Sequence, residues 1–197
     1  GAVERIKELV LHAPLSVQSE MTACTAVLAL SEDLKPQLLD MGICEVLLPL
    51  TDSPSIEVQG NSAAALGNLS SKADDYAPFN AVWDKPAGGL HGYLVRFLES
   101  EDTTFQHIAV WTLIQLLESG NHELEQHIRD SPHLLDLVRQ LQSRIGTFES
   151  EHEQADTSTA ADTSGQDVSP EREIAALSRR IEEILFEESD DGTSDAK

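Results

Sequence analysis

The sequence predicts an all-α chain built as a solenoid of stacked helical units. Forty per cent of residues are apolar but only five per cent are aromatic, so the interior must be made of Leu, Ile, Val and Ala, the composition of packed helices. Val17-Gln18, Val58-Gln59 and Phe105-Gln106 each open a helix-like run, at offsets of 41 and 47 residues. The same two offsets relate Gly1-Ala2-Val3, Gly42-Ile43-Cys44 and Gly89-Leu90-His91, each of which opens a short apolar helix. Two independent landmarks at shared offsets mark an internal repeat.

Within each unit the short helices match in register: Ile6, Leu47 and Leu94 fall together, as do Leu9, Leu50 and Phe97. A polar break follows, at Ala13-Pro14, Asp52-Ser53-Pro54 or Glu101-Asp102-Thr103, and then a longer helix. The long helices carry small residues where backbones approach, as in Ser62-Ala63-Ala64-Ala65, and apolar residues at helical spacing, as in Ile108, Trp111 and Leu113. A shorter helix closes the units at Leu34 to Met41 and His122 to Arg129, with Gly42 and Gly120 reversing the chain. Between Leu69 and Gly89 the middle unit has six extra residues, the difference between 47 and 41, and reads as a distorted helix plus a loop.

These readings divide the chain into helical repeats over 1–145, an acidic disordered linker over 146–170, a short amphipathic helix over 171–188 and a disordered acidic end over 189–197. Gly146 to Pro170 holds six acidic residues and no Lys or Arg, too little apolar area to offset chain entropy. Ser169-Pro170 then offers a cap and first helical residue, and Ile174, Leu177, Ile181, Ile184 and Leu185 form one stripe. An isolated helix of this length is marginal in water. It either docks on the final repeat or in the groove, or frays freely as a tail.

The net charge of −22 would repel phosphate backbones and acidic membrane surfaces, which argues against nucleic acid as a partner. Cys24 and Cys44 lack metal-type spacing and read as buried free thiols. No apolar run reaches the roughly 18 residues of a membrane span, and no direct membrane contact is expected. The chain opens with Gly1 in what reads as the middle of a unit, as a piece of a longer array would.

Val58-Gln59 followed by Ser62-Ala63-Ala64-Ala65-Leu66-Gly67-Asn68-Leu69-Ser70 resembles the third-helix signature of the armadillo-repeat family, with Asn68 in the position of its asparagine ladder. Trp111 and Gln115 resemble the family's Trp and Asn pair, with Gln in place of Asn, while the first unit has Ala23 and Val27 there. The wider string, including Ala81-Val82-Trp83-Asp84-Lys85-Pro86, is similar to the last repeats of the fungal vacuolar armadillo proteins over about residues 1–141. The resemblance implies a superhelical solenoid of about three repeats, the first incomplete, with Asn61, Asn68, Trp111 and Gln115 as groove candidates for protein partners. It also implies a non-enzymatic adaptor in vacuole inheritance, organelle contact and autophagy-related targeting. That adaptor would lie on the cytosolic face of the vacuole membrane, held by a lipidated N-terminus absent from this chain; alone, the chain would be cytosolic. The alternative is a nuclear-transport-like adaptor for basic peptides.

No catalytic residues, cofactor or metal site are expected. His122 and His127 are five apart, which turns their imidazoles away from each other on a helix. Asn68-Leu69-Ser70 is formally a glycosylation sequon inside an expected helix, and Gly88-Gly89 lacks the preceding strand of a phosphate loop. Trp111 has two readings, a stacking surface in a groove or a core side chain.

Overall fold

The computed structural model describes residues 9–85, 88–155 and 170–187. The aligned Ile6 and the acidic end over 189–197 lie outside the described residues. Among the described residues, one helical turn over 9–12 precedes ten helices: α1 Leu15–Leu28, α2 Lys35–Asp40, α3 Ile43–Leu50, α4 Ile56–Ser70, α5 Ala77–Asn80, α6 Gly89–Glu99, α7 Thr103–Leu117, α8 His122–Arg129, α9 Pro132–Ala155 and α10 Pro170–Glu187. The described residues contain no strand.

The polar breaks seen in the sequence work as caps. The Ser55 hydroxyl accepts from Val58 N at 3.4 Å, the Asp102 carboxylate from Thr104 N at 2.8 Å and the Asn121 amide oxygen from Leu124 N at 3.0 Å, each satisfying a donor that the helix start leaves open. Gly42 and Gly120 take the left-handed conformation at φ 72° and 69°, where a side chain would be strained.

The helices sort into stacks. α1, α4 and α7 lie side by side, and each of α4 and α7 also packs on the short helix before it, α3 or α6. Their pairing runs in chain order: Ser19 and Ala26 meet Asn61 and Asn68, and Gly60 and Gly67 meet Phe105 and Trp111. The three long helices are therefore parallel. Packing between α3 and α6 and between α6 and α9 makes a second stack. One continuous core, from Leu39 and Leu47 through Leu66, Leu94 and Leu113 to Leu141, ties the stacks together.

The glutamines that mark the repeat have one shared task. Gln18 Nε2 donates to the Val10 carbonyl at 2.9 Å, Gln106 Nε2 to the Leu98 carbonyl at 3.4 Å and to that of Ser100, and Gln59 Nε2 to the Ser53 carbonyl. Each one clamps the start of a long helix to the last turn of the helix before it or to the break just past that helix, satisfying carbonyls at a helix end.

The six-residue expansion is largely interior. Phe79 is fully buried and Trp83 is 3% exposed, with Trp83 stacked on His127 at a centroid distance of 5.2 Å. The Tyr76 hydroxyl donates to the Ser70 carbonyl at 2.8 Å, and Lys85 pairs with Glu45 of α3, at the start of the same unit, at 2.8 Å. Lys35 is buried with its ammonium on the Ser71 carbonyl, and loss of hydration lowers its pKa.

α10 continues the long-helix stack. It packs on α7 and α9 as α7 packs on α4 and α6. His107 of α7 meets Glu173 at 3.3 Å and Glu118 meets Arg180 at 3.3 Å, an order that makes α10 parallel to α7. Ile174, Ala175, Ile181 and Leu185 enter the common core. α9 runs through Ala155, and the rest of the expected linker, residues 156–169, lies outside the described residues.

One expectation fails. Cys44 is buried but Cys24 is exposed, because α1 is packed by α4 on one side while Val17, Met21, Cys24 and Leu28 share its other, open side.

Candidate functional site

A long helix packed on both flanks by parallel neighbours keeps only a narrow strip of surface. On α4 the half-buried strip is Asn61, Ala64 and Asn68, and on α7 it is Ile108, Trp111 and Gln115; both follow the i, i+3, i+7 spacing of one helix face. All four groove candidates thus fall on two adjacent strips. Ala64 and Ile108 join them, and only their helical spacing to the named residues signals it.

Two of the candidates are tied to the preceding helix. Asn68 Nδ2 donates to the Ala26 carbonyl at 2.9 Å, and Asn61 Nδ2 reaches the Ser19 carbonyl at 3.4 Å. Both bonds span 42 residues, so these amides help set the spacing of α1 and α4. An amide nitrogen carries two protons and the amide oxygen two lone pairs, so the Asn68 side chain keeps a proton and an acceptor beyond this bond.

Trp111 is half-buried, neither a core side chain nor a free one. Its ring lies over Gly67, where an added Cβ would sit 2.7 Å from Trp111 Cζ3 and 2.9 Å from Thr112 Oγ1. Glycine is what lets α7 approach so closely. The ring therefore borders the residue next to Asn68, with its own strip neighbour Gln115 one turn on. An indole face flanked by two primary amides can hold an extended segment by stacking and by hydrogen bonds to its backbone. The position equivalent to Asn68 on α1 is Val27, 67% exposed, so the amide line stops there.

His127 faces Trp83, His133 pairs with Glu99 at 3.0 Å, and among the described residues no group of three or more His, Cys, Asp or Glu is arranged to hold a metal. Burial pushes the Cys44 thiol up to about 12, which leaves it protonated and a poor nucleophile. No helix among the described residues is long and apolar enough to cross a membrane.

Residues 31–71, running from the end of α1 through α2, α3 and α4, match the family model for the armadillo/beta-catenin-like repeat. The chain belongs to the armadillo-repeat family. It is similar to proteins named vacuolar protein 8 from fungi: 62% identical over 144 residues to that of Schizosaccharomyces pombe, covering 73% of this chain and 26% of that protein. The Aspergillus oryzae protein is 53% identical over 185 residues, covering 94% of this chain and 30% of that protein. The Saccharomyces cerevisiae protein is 47% identical over 141 residues, covering 72% and 24%. The chain thus spans less than a third of each of these relatives. A crystal structure of an engineered protein matches 96% of this chain and 68% of its own with a TM-score of 0.64 at 24% identity, a likeness of fold. The alignment with the Aspergillus relative extends past the repeats and over most of the chain.

Proposed function

We propose that this armadillo array is a non-enzymatic adaptor that holds an extended protein segment across the strips of α4 and α7. The observation that carries the reading is the Trp111 ring seated on Gly67 beside Asn68, with Gln115 one turn away. It offers an apolar face and backbone-directed amides with no acid–base pair to do chemistry. By its similarity to the vacuolar protein 8 group, the adaptor works at the cytosolic face of the vacuole membrane, in vacuole inheritance, organelle contact and autophagy-related targeting. A lipid-bearing upstream part of a longer protein would hold it there.

A second reading is an adaptor for basic segments, favoured by the net charge of −22, which draws cations from a distance. The two differ in salt dependence. A basic segment would lose most of its affinity between low and physiological salt, whereas stacking and backbone hydrogen bonds would survive.

The test is binding of a captured partner segment to Trp111→Ala and Gln115→Ala, with melting temperature measured alongside. Each variant is expected to weaken binding by about 1–3 kcal/mol, the range of interface anchors, while Gln115→Ala leaves the melting temperature in place. Unchanged binding by both variants would remove the groove reading.

A further inference from the structure

The other long helices are each clamped at their start by a glutamine, a device that α10 lacks. Gln18, Gln59 and Gln106 each clamp a long helix to the carbonyls of the chain before it, and α10 contains no glutamine. Breaks of only a few residues join short to long helix in the earlier units, at 51–55 between α3 and α4 and 100–102 between α6 and α7. Residues 156–169 intervene before α10, after a helix of 24 residues where α3 has 8 and α6 has 11. α10 is thus held mainly by what its side chains touch.

That contact is built with a flaw. Ser178 is fully buried on the face of α10 that enters the core, and its hydroxyl has no hydrogen-bond partner among the described residues. A buried hydroxyl that has lost its water and gained no partner weakens an interface. Around the flaw the apolar seat is sound: Ile174, Ala175, Ile181 and Leu185 join the cluster that includes Ile114, Leu134, Val138 and Leu141. The rim is charge-matched. Arg139 of α9 lies 3.6 Å from Glu182, His107 of α7 lies 3.3 Å from Glu173 without hydrogen-bond alignment, and Arg129 of α8, also paired with Glu125, donates to the Leu185 carbonyl. A chain with 35 acidic and 13 basic residues has placed arginines from two helices, α8 and α9, at this one place, and Glu118 of α7 meets Arg180 of α10.

We propose that the α7–α9 face beneath α10 is an exchange site, which releases α10 and admits a partner's amphipathic helix of the same chemistry. That chemistry is an apolar stripe at the spacing of Ile174, Ile181 and Leu185 with acidic residues at the flanking positions of Glu173 and Glu182. The mode is helix in groove, on the side of α7 opposite α4, so it is separate from the extended-segment groove. Tethering keeps α10 at a high local concentration and holds the site closed against weak competitors. A partner helix that places Ala, or a larger apolar side chain, where α10 has Ser178 removes the buried hydroxyl and competes better.

The test uses the full chain and a fluorescent peptide of residues 170–187. The intact chain is expected to bind the peptide weakly, and the full-length Ile174→Asp/Ile181→Asp variant, whose own helix cannot seat, about tenfold or more tightly. A peptide carrying Glu182→Lys should bind that variant about two- to fivefold more weakly, since the pair with Arg139 becomes repulsive. A folded variant that ignores the peptide overturns the proposal. If the variant fails to fold, a protease site placed between Ala160 and Ala161 of the otherwise natural chain decides. Release of the cut helix on dilution, with helicity of the body kept and the added peptide taken up, supports exchange; a cut helix that never leaves, or a body that unfolds when it does, overturns it.

Discussion

A Cβ on Gly67 would stand 2.7 Å from Cζ3 of Trp111, closer than side chains pack, while one on Gly60 would stand 3.5 Å from Phe105 Cε1. The two glycines lie seven residues apart on one helix and face the same neighbour. Only one of them is needed for the approach of α7. Gly67→Ala is therefore expected to push Trp111 and Thr112 outward and cost about 1–3 kcal/mol, the usual penalty of overpacking. Gly60→Ala should be neutral or slightly stabilising, since Ala is the better helix residue. Urea unfolding of both variants reads the difference.

Asn68→Ala removes the bond to the Ala26 carbonyl and leaves that half-buried acceptor without its partner. A loss of about 0.5–1.5 kcal/mol is expected for a bond of ordinary strength. Asn61→Ala should cost less, because its bond to Ser19 is at 3.4 Å and correspondingly weak. Hydrogen exchange should show the loss concentrated in α1, which α4 holds on one side only.

The two thiols should separate cleanly. Cys24 is exposed, whereas Cys44 is 2% exposed with its thiol pushed up to about 12 by burial. Brief alkylation of the native chain near pH 8, followed by mass spectrometry, should label Cys24 and leave Cys44 unmodified until denaturant is added. Equal labelling would mean that α3 opens on the timescale of the reaction.

The same burial makes the fold sensitive to alkali. Cys44, Tyr76 and Tyr93 all have raised pKa values, chiefly from desolvation. Each keeps its proton in the native state at a pH where the unfolded chain has lost it. The native state then binds more protons, so stability falls as pH rises above the unfolded thiol value of about 8.5 and continues to fall through the phenol range near 10. Lys35 acts in the opposite sense, since its pKa is lowered, but it is one group against three. Melting temperatures taken from about pH 7.5 to 10.5 should decline, and Cys44→Ala should flatten the first part of that decline.

The repeat was legible in the sequence because its physical cause recurs. Gln18, Gln59 and Gln106 each clamp a helix start, and the caps Ser55 and Asp102 stand at like positions. The strips were legible for the same reason, since Asn61 and Asn68 or Trp111 and Gln115 share a face by spacing alone. Three things were hidden. The partner of Asn68 is a backbone carbonyl, which leaves no mark in side-chain identity. The stretch between Leu69 and Gly89 reads only as a distorted helix plus a loop, because the polar neighbours Asp84 and Lys85 give no sign that the Trp83 ring is buried and stacked on His127, far away in sequence. The place of α10 as the next long helix was hidden because residues 156–169 break the 41 and 47 offsets and the marker glutamine is missing. The exposure of Cys24 was misread for a related reason: helical periodicity shows that a face is apolar but not which neighbour covers it.

The most direct measurement is photo-crosslinking of a bound partner segment, with a photoreactive residue placed at Gln115 on the α7 strip or at exposed Glu123 on α8. A segment held across α4 and α7 should crosslink from position 115 and not from 123, and the Gln115 product should fall away when Trp111→Ala is introduced. Crosslinking from 123 with none from 115 would contradict the assignment of this face as the adaptor's binding groove.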